Sequence, residues 1–241
     1  MSSYNALARW YDRLTEDISY PDFADFYDGI FARSDEKISM ILDLCCGTGT
    51  LSFELASRGY DMIACDSSPD MLAVAQAKCS ALEHPPLFIC QDAAELDLYG
   101  TVDAAVCSLD SLNYIPPEKT DELFRRLSLF IRPQGLFIFD VKTPEHLRSA
   151  DGQTYVDEDE SLFCVWRADW SESDSCLIYG MDIFSKNGKN WSREKEEHIE
   201  YAYDAEYLRN RLTGHGFELK DIISGTAFGG EGRQFFLAVR A

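Results

Sequence analysis

Near its start the chain repeats apolar positions at the spacing of one helix face: first Tyr4, Leu7, Ala8 and Tyr11, then Phe23, Phe26, Tyr27 and Ile30. Two amphipathic helices are expected there. Five strand-length apolar runs follow, at residues 39–44, 61–65, 87–90, 104–108 and 136–141, alternating with helix-like stretches at 51–57, 69–79 and 118–130. Pro69 suits the first turn of a helix, and Leu123, Phe124, Leu127 and Phe130 share one helical face. "IRPQG" then closes that helix, with Pro133 and Gly135 as punctuation. Strands alternating with helices imply a parallel sheet with crossover helices.

Beyond Pro144 the pattern changes. After the acidic run "VDEDE", the segments "SLFCVWRADW", "SCLIYGMDIF" and "EEHIEYAY" alternate with period two, separated by "SESD" and "SKNGKNWSRE". An antiparallel meander is expected. "DAEYLRNRLTGHGF" then offers a helix ended by Gly214 or Gly216, and "ELKDIIS" and "RQFFLAVRA" offer two strands that extend the parallel sheet at its far edge. With no internal repeat, low-complexity segment or long linker, the chain reads as one α/β domain carrying an inserted β-region.

Composition agrees with that picture. The 241 residues are 46% hydrophobic and 27% charged, enough for one sizeable core and unlike a disordered chain or a coiled coil. No apolar run approaches the roughly 20 residues of a membrane span, and the start lacks the pattern of a secretory signal, so a cytoplasmic protein with no membrane partner is expected. Lys and Arg number 22 against 42 Asp and Glu, a formal charge of −20, with no basic cluster. Nucleic acid, itself strongly anionic, is therefore not an expected partner. Eight cysteines show no Cys-x-x-Cys spacing and mostly fall in apolar runs, which indicates buried thiols rather than a metal site or disulfides.

The chemistry concentrates in "ILDLCCGTGTLSFEL", residues 41–55, a strand, a glycine turn and a helix start. Gly47 and Gly49 let a ligand approach the backbone beside the unpaired N–H groups of a helix N-terminus. A dinucleotide pyrophosphate wants a third glycine where this chain has Ser52, and it would meet the Asp43 carboxylate as a like charge. A ligand with an ammonium group suits Asp43 better. Asp66 ends the second strand 19 residues after Gly47, where an acidic side chain accepts both hydroxyls of a ribose, unless it serves only the turn before Pro69. Asp92 ends the third strand and either accepts an adenine amino group or caps the next turn. A thiol at Cys45 or Cys46 near a helix N-terminus would have a lowered pKa.

Together Asp43, Gly47, Gly49, Asp66 and Asp92 resemble the motif series of the class I S-adenosylmethionine-dependent methyltransferases. The resemblance covers residues 38 to about 141, and the last two strands match the family's sheet. It implies S-adenosyl-L-methionine as cofactor and a Rossmann-like, doubly wound seven-stranded sheet whose last strand is antiparallel. It also implies that Gly47 and Gly49 lie against the methionine part and that Asp66 holds the ribose. Met71 would pack on the adenine, Asp92 bind its amino group, and Asp43 set the loop and the amino-acid end. The departure is "DLCCGTGT", where Cys45 replaces a glycine and Cys46 another small residue.

Read jointly, "YNALARWYDRLTEDISY", "LDSLNYI" and "EEHIEYAY" resemble a bacterial subgroup of small, mostly uncharacterised methyltransferases, related in outline to glycine and sarcosine N-methyltransferases. That resemblance implies a helical lid over residues 1–37 with Tyr4, Tyr11 and Tyr20 at the cofactor, although each ring equally suits a core position. It further implies a cofactor-binding core at 38–149, a β insertion at 150–203 over the acceptor pocket, and the last helix and strands of the sheet at 204–241. "CSLDSLNYI" follows the fourth strand, at the gap between donor and acceptor, and lacks the Pro-Pro-aromatic signature of base methyltransferases. Asp110, Tyr114, Glu197 and His198 are candidates for removing an acceptor proton. Equally, Asp110 and Asn113 suit fixing the loop, and His198 suits a structural place on a strand. Trp166, Arg167, Trp170, Tyr179 and Trp191 offer an aromatic pocket, with Arg167 otherwise pairing with "VDEDE". The expected function is methyl transfer to a small molecule, N-methylation ahead of O-methylation, by a monomer or homodimer. An NAD-dependent dehydrogenase, sharing the sheet and Asp66, and a cofactor-binding scaffold without turnover are the competing readings.

Overall fold

The computed structural model describes residues 7–224 and 230–241, so Tyr4 lies outside the described residues. The expected first helix is broken: a 3₁₀ turn at Leu7–Arg9 is followed by a single turn, α1 (Tyr11–Leu14). The Leu7 N–H at the start of this segment is taken by the Glu196 carboxylate at 2.9 Å. The second stripe does form a helix, α2 (Tyr20–Phe31), with Pro21 in its first turn and Phe23, Tyr27, Ile30 and Phe31 buried.

The alternating runs form β1 (Met40–Leu44), α3 (Thr50–Ser57), β2 (Asp61–Asp66), α4 (Pro69–Cys79), β3 (Leu87–Cys90), β4 (Val102–Cys107), α5 (Pro117–Phe130) and β5 (Ile131–Lys142). "IRPQG" proves to be a kink inside β5 rather than a stop. Gln134 takes φ 62°, the register against β4 shifts between Val102 and Ala104, and an added Cβ at Gly135 would stand 2.7 Å from the Asp103 carbonyl. A helix too short for periodicity to reveal, α6 (Pro144–Ser149), follows, its N-cap Thr143 accepting the His146 N–H. Then come β6 (Thr154–Glu158), β7 (Leu162–Ser171), β8 (Cys176–Asn187), β9 (Asn190–Tyr201), α7 (Ala205–Gly214), β10 (Phe217–Ser224) and β11 (Arg233–Arg240).

The main sheet has seven strands in the order β10-β11-β5-β4-β1-β2-β3, with β11 antiparallel to both neighbours. Residues of opposite parity fill its two faces. Phe137, Phe139 and Phe236 pack with Phe124 of α5 and Leu208 and Leu212 of α7, while Ile138 and Phe235 on the other face pack with Phe23 and Tyr27 of α2 and Leu55 of α3. Strand order reverses between β1 and β4, and that is where a doubly wound sheet opens a crevice at its strand ends. A separate antiparallel sheet, β6-β7-β8-β9, stands over this crevice. Part of "VDEDE" forms its edge strand, β6, which the acidic composition concealed. Among the described residues no helix is long and apolar enough to cross a membrane.

Candidate active site

The strand ends, α1 and the small sheet enclose a cavity of about 560 Å³. Its floor is the loop after β1, where Cys45, Gly47 and Gly49 take φ of 59°, 53° and 69°. The two glycines serve different ends. An added Cβ at Gly47 meets nothing within 4 Å, so the cavity reaches this backbone, whereas at Gly49 it would lie 2.8 Å from Ala75 Cβ on α4. Gly49 does not line the cavity; its role is the close approach of α3 to α4.

Asp66 lines the cavity and orders the loop. Its two carboxylate oxygens accept the N–H groups of Gly47 and Ser68, each at 2.8 Å. Burial raises its pKa, opposed by those N–H donors. Asp43 stands behind the loop, off the cavity wall, and accepts the Ser52 hydroxyl at 2.5 Å. Burial pushes its carboxyl up to about 7, against the Ser52 hydrogen bond and with the help of Asp66. Thus Asp43 and Ser52, the residue in the third-glycine position, form one supporting pair, and a direct ligand contact by Asp43 is not what the geometry shows. Met71 is buried on the wall, and Asp92 accepts Ala94 N–H at 2.9 Å and Lys119 Nζ at 2.6 Å. Partial burial raises the Asp92 pKa, but Lys119 and Ala94 outweigh it and the net direction is down.

The thiols run opposite to the sequence expectation. A hydrogen bond with the Cys107 thiol, then burial, hold Cys45 well above the usual thiol range, and burial does the same to Cys46. All eight cysteines are free, and no group of metal-ligating side chains occurs among the described residues.

The N-terminal segment closes one side. Tyr11 lines the cavity with its hydroxyl pKa raised by burial, while Tyr20 starts α2 and is off the cavity wall, packing partly against the core under that helix. Asp12 accepts the Thr48 hydroxyl at 2.6 Å and pairs with Lys78 at 2.8 Å. Arg13 reaches the other way, to Asp157 at 3.2 Å and Asp159 at 3.0 Å at the rim of the small sheet. Glu196 adds a third tie, holding Leu7 N–H with one oxygen and His198 Nε2, at 3.0 Å, with the other.

Opposite the glycine loop lies a buried ionic network. Leu109 and Asp110 are consecutive left-handed residues, with φ of 58° and 54°. The Asp140 carboxylate accepts both their N–H groups, at 2.9 and 2.8 Å, and pairs with Arg233. Asp110 meets Arg233 at 2.6 Å and Lys142 at 2.9 Å. Lys142 also meets Glu200 at 3.0 Å, and the Tyr114 hydroxyl donates to Glu200 at 2.8 Å. Asn113 fixes the loop, donating to Tyr201 O at 2.8 Å and accepting Lys142 N–H at 3.0 Å.

Of the proton-acceptor candidates, Asp110 lies inside this network with a cation on each oxygen. Burial raises its pKa, but Lys142 and Arg233 outweigh it and hold the carboxyl below its ordinary value. Glu197 is exposed and off the cavity wall. Tyr114 and His198 do line it, their rings edge to face at 6.3 Å. Sequence reasoning missed Glu200, although period two from His198 puts Glu196 and Glu200 on the same face of β9. Of the aromatic candidates, Trp166 and Tyr179 line the cavity. Trp170 bonds to Glu172, Trp191 is 48% exposed, and Arg167 pairs with Asp182 of the neighbouring strand at 2.7 Å rather than with the acidic run.

Comparison with known proteins decides the family. A methyltransferase-domain family matches residues 41–135. YqeM of Bacillus subtilis (strain 168), named provisionally as a methyltransferase, is 32% identical over 225 residues, covering 92% of this chain and 89% of that protein. The crystal structure of an S-adenosylmethionine-dependent methyltransferase from Clostridium acetobutylicum ATCC 824 superposes with a TM-score of 0.87, at 26% identity and 99% coverage of both chains. The chain belongs to the class I S-adenosylmethionine-dependent methyltransferases. Human glycine N-methyltransferase is a more distant relative, 29% identical over 125 residues, 45% of this chain and 42% of that one. The dehydrogenase and scaffold readings give way to a methyltransferase that uses S-adenosylmethionine. The cavity fits that cofactor: space opens directly above Gly47, and the carboxylates of Asp66 and Asp92, after β2 and β3, line the same cavity.

Proposed function

We propose that this methyltransferase acts on a small molecule, N-methylation ahead of O-methylation, with the cofactor along β1–β3 and the acceptor between the ionic network and the small sheet. The observation carrying this reading is one cavity that runs from Asp66 and Asp92 to His198 and Glu200 under a roof of α1, β7 and β8. Its size is that of a small-molecule site, and α1, β7 and β8 partly cover it, which supports a small acceptor over a polymer. The distant relatives include both a glycine N-methyltransferase and a magnesium-protoporphyrin O-methyltransferase, so the preference for nitrogen rests on the acidic and aromatic lining of the acceptor side.

In this reading Asp66 accepts the ribose hydroxyls, Met71 lies on the adenine, Asp92 takes its amino group and Gly47 receives the methionine end. Asp43 and Gly49 act indirectly by shaping the loop, and Tyr11 covers the site. When bound, the cofactor supplies an electrophilic methyl group on a sulfonium. Transfer is an in-line displacement, so the protein's main contribution is alignment and exclusion of water. Tyr114 and His198, each held by a carboxylate, give the acceptor side fixed polar groups.

Replacing Asp66 by Ala should weaken S-adenosylhomocysteine binding by about 100-fold, the effect of two lost hydrogen bonds to a charged group. Calorimetric titration measures this and circular dichroism checks the fold. An unchanged dissociation constant in a folded variant removes Asp66 from the site.

A further inference from the structure

We infer that the acceptor is an amine that enters as its ammonium ion beside Glu200, and that Glu200 takes the proton the nitrogen must lose before it is methylated. This rests on the small-molecule reading above and adds the acceptor's chemical class and a further catalytic residue.

Charge bookkeeping motivates the ammonium. The network holds three carboxylates, Asp110, Asp140 and Glu200, which are 7%, 0% and 1% exposed, against the two cations Lys142 and Arg233. An uncompensated buried charge is costly, and one arriving monocation balances it. The walls are also suited to a cation, because Tyr11, Trp166 and Tyr179 line the same space and Lys142 already stands 5.6 Å over the Tyr179 ring.

Glu200 is the carboxylate placed for the proton. Asp140 is off the cavity wall and bound to two backbone N–H groups and Arg233. Asp110 has a separate cation on each oxygen. Glu200 lines the cavity; its Oε1 receives Tyr114 and Lys142, and its Oε2 receives only Lys142, at 3.1 Å, among the described residues. The groups facing it are Lys142 from β5, Asp110 from the loop after β4, Tyr114 from the turn before α5, and Tyr179 from β8. Beyond them stand Arg233 on β11, Tyr11 on α1 and, on its own strand, His198. Burial lifts Glu200 and Asp140 alike above the ordinary carboxylate range, whereas Asp110 moves the other way; of the two raised groups Glu200 is the one on the cavity wall.

The step balances. An N–H bond of R–NH₃⁺ breaks, its electron pair stays on nitrogen, and the proton bonds to the Glu200 carboxylate. The nitrogen pair then forms the N–C bond while the donor's S–C bond breaks and its electrons go to sulfur. The product is R–NH₂⁺–CH₃ with a neutral thioether, and Glu200 returns its proton to solvent.

A sulfonium is also a monocation, so the test separates donor from acceptor. Glu200→Gln and Glu200→Asp in the full chain are compared with the unaltered protein for S-adenosylmethionine and S-adenosylhomocysteine affinity by calorimetry. Methylation is then followed on the matched pairs benzylamine and benzyl alcohol, glucosamine and glucose, and glycine and glycolate. We expect methylation of amines alone, with kcat/KM rising as pH rises through the Glu200 titration and falling again above the pKa of the free amine, which must enter protonated. Glu200→Gln should lose about 100-fold, its residual rate following the amine's own deprotonation at higher pH, and Glu200→Asp should recover part. The affinity ratio of the two cofactor forms should be the same in all three. Preferred methylation of a hydroxyl or carboxylate, an unaltered pH profile in Glu200→Gln, or binding of S-adenosylhomocysteine with no amine methylated would each overturn the inference. So would a selective loss of S-adenosylmethionine affinity in Glu200→Gln, which assigns the negative charge to the sulfonium. Failure of the unaltered protein to bind S-adenosylhomocysteine would instead bring down the reading beneath it.

Discussion

A buried carboxylate such as Asp43 makes stability depend on pH in a direction that follows from its surroundings. Its folded pKa of about 7 lies above the ordinary 3.8, so the folded chain keeps a proton that the unfolded chain has released. The contribution is fully present below about pH 4 and is lost as pH rises to about 7. Between pH 5 and pH 8 the loss is on the order of 3 kcal/mol. Asp43→Asn should therefore show a shallower fall in urea-unfolding free energy over that interval, and a fall as steep as that of the unaltered protein would contradict the assignment. The two loop glycines make a second residue-scale test. Gly49→Ala should lower Tm by about 6 °C, from about 2 kcal/mol of crowding against α4 and left-handed strain. Gly47→Ala, whose methyl enters the cavity, should cost S-adenosylhomocysteine affinity more than stability. At this scale Asp43, Asp66 and Asp92 were legible as places, because an acidic residue within or just after an apolar run stands out in one dimension. Asp110 was legible as a place but not as a role: its partner Arg233 is 123 residues away and nothing local announces it.

The segment from Leu7 to Leu14, part of the proposed lid, is held by weak ties at several points rather than by one strong one. Arg13 with Asp157 and Asp159, and Lys78 with Asp12, are partly exposed pairs worth about 1 kcal/mol or less each. Glu196 is better buried, its side chain 7% exposed, and joins the Leu7 backbone to His198. Glu196→Ala should thus speed S-adenosylhomocysteine dissociation about tenfold in stopped-flow while leaving the main sheet folded, and an unchanged rate would mean that the segment does not gate the site. The elements of the main sheet were readable from apolar period and punctuation. Those that escaped did so for physical reasons. β6 is an edge strand whose pairing tolerates charged side chains, and α6 is shorter than two turns.

Seen whole, the molecule joins two sheets across a shared cavity, and ligand should couple them. Hydrogen exchange with S-adenosylhomocysteine present should slow at residues 7–14 and along β7–β9, while β10, the far edge of the main sheet, should be unaffected; equal protection everywhere would indicate global stabilisation instead. Division into a lid at 1–37, a core at 38–149, an insertion at 150–203 and a closing segment at 204–241 is our proposal for how the chain is apportioned between these tasks. The two sheets share no strand. Trp166 and Tyr179 hang from the smaller one, whereas Asp66 and Gly47 belong to the larger. On the proposed division of the cavity, Trp166 and Tyr179 are the positions at which a duplicated copy could change its acceptor, while Leu162, Cys164, Met181 and Ile183, packed with Met71, tie the rest of β7 and β8 to the donor they inherit.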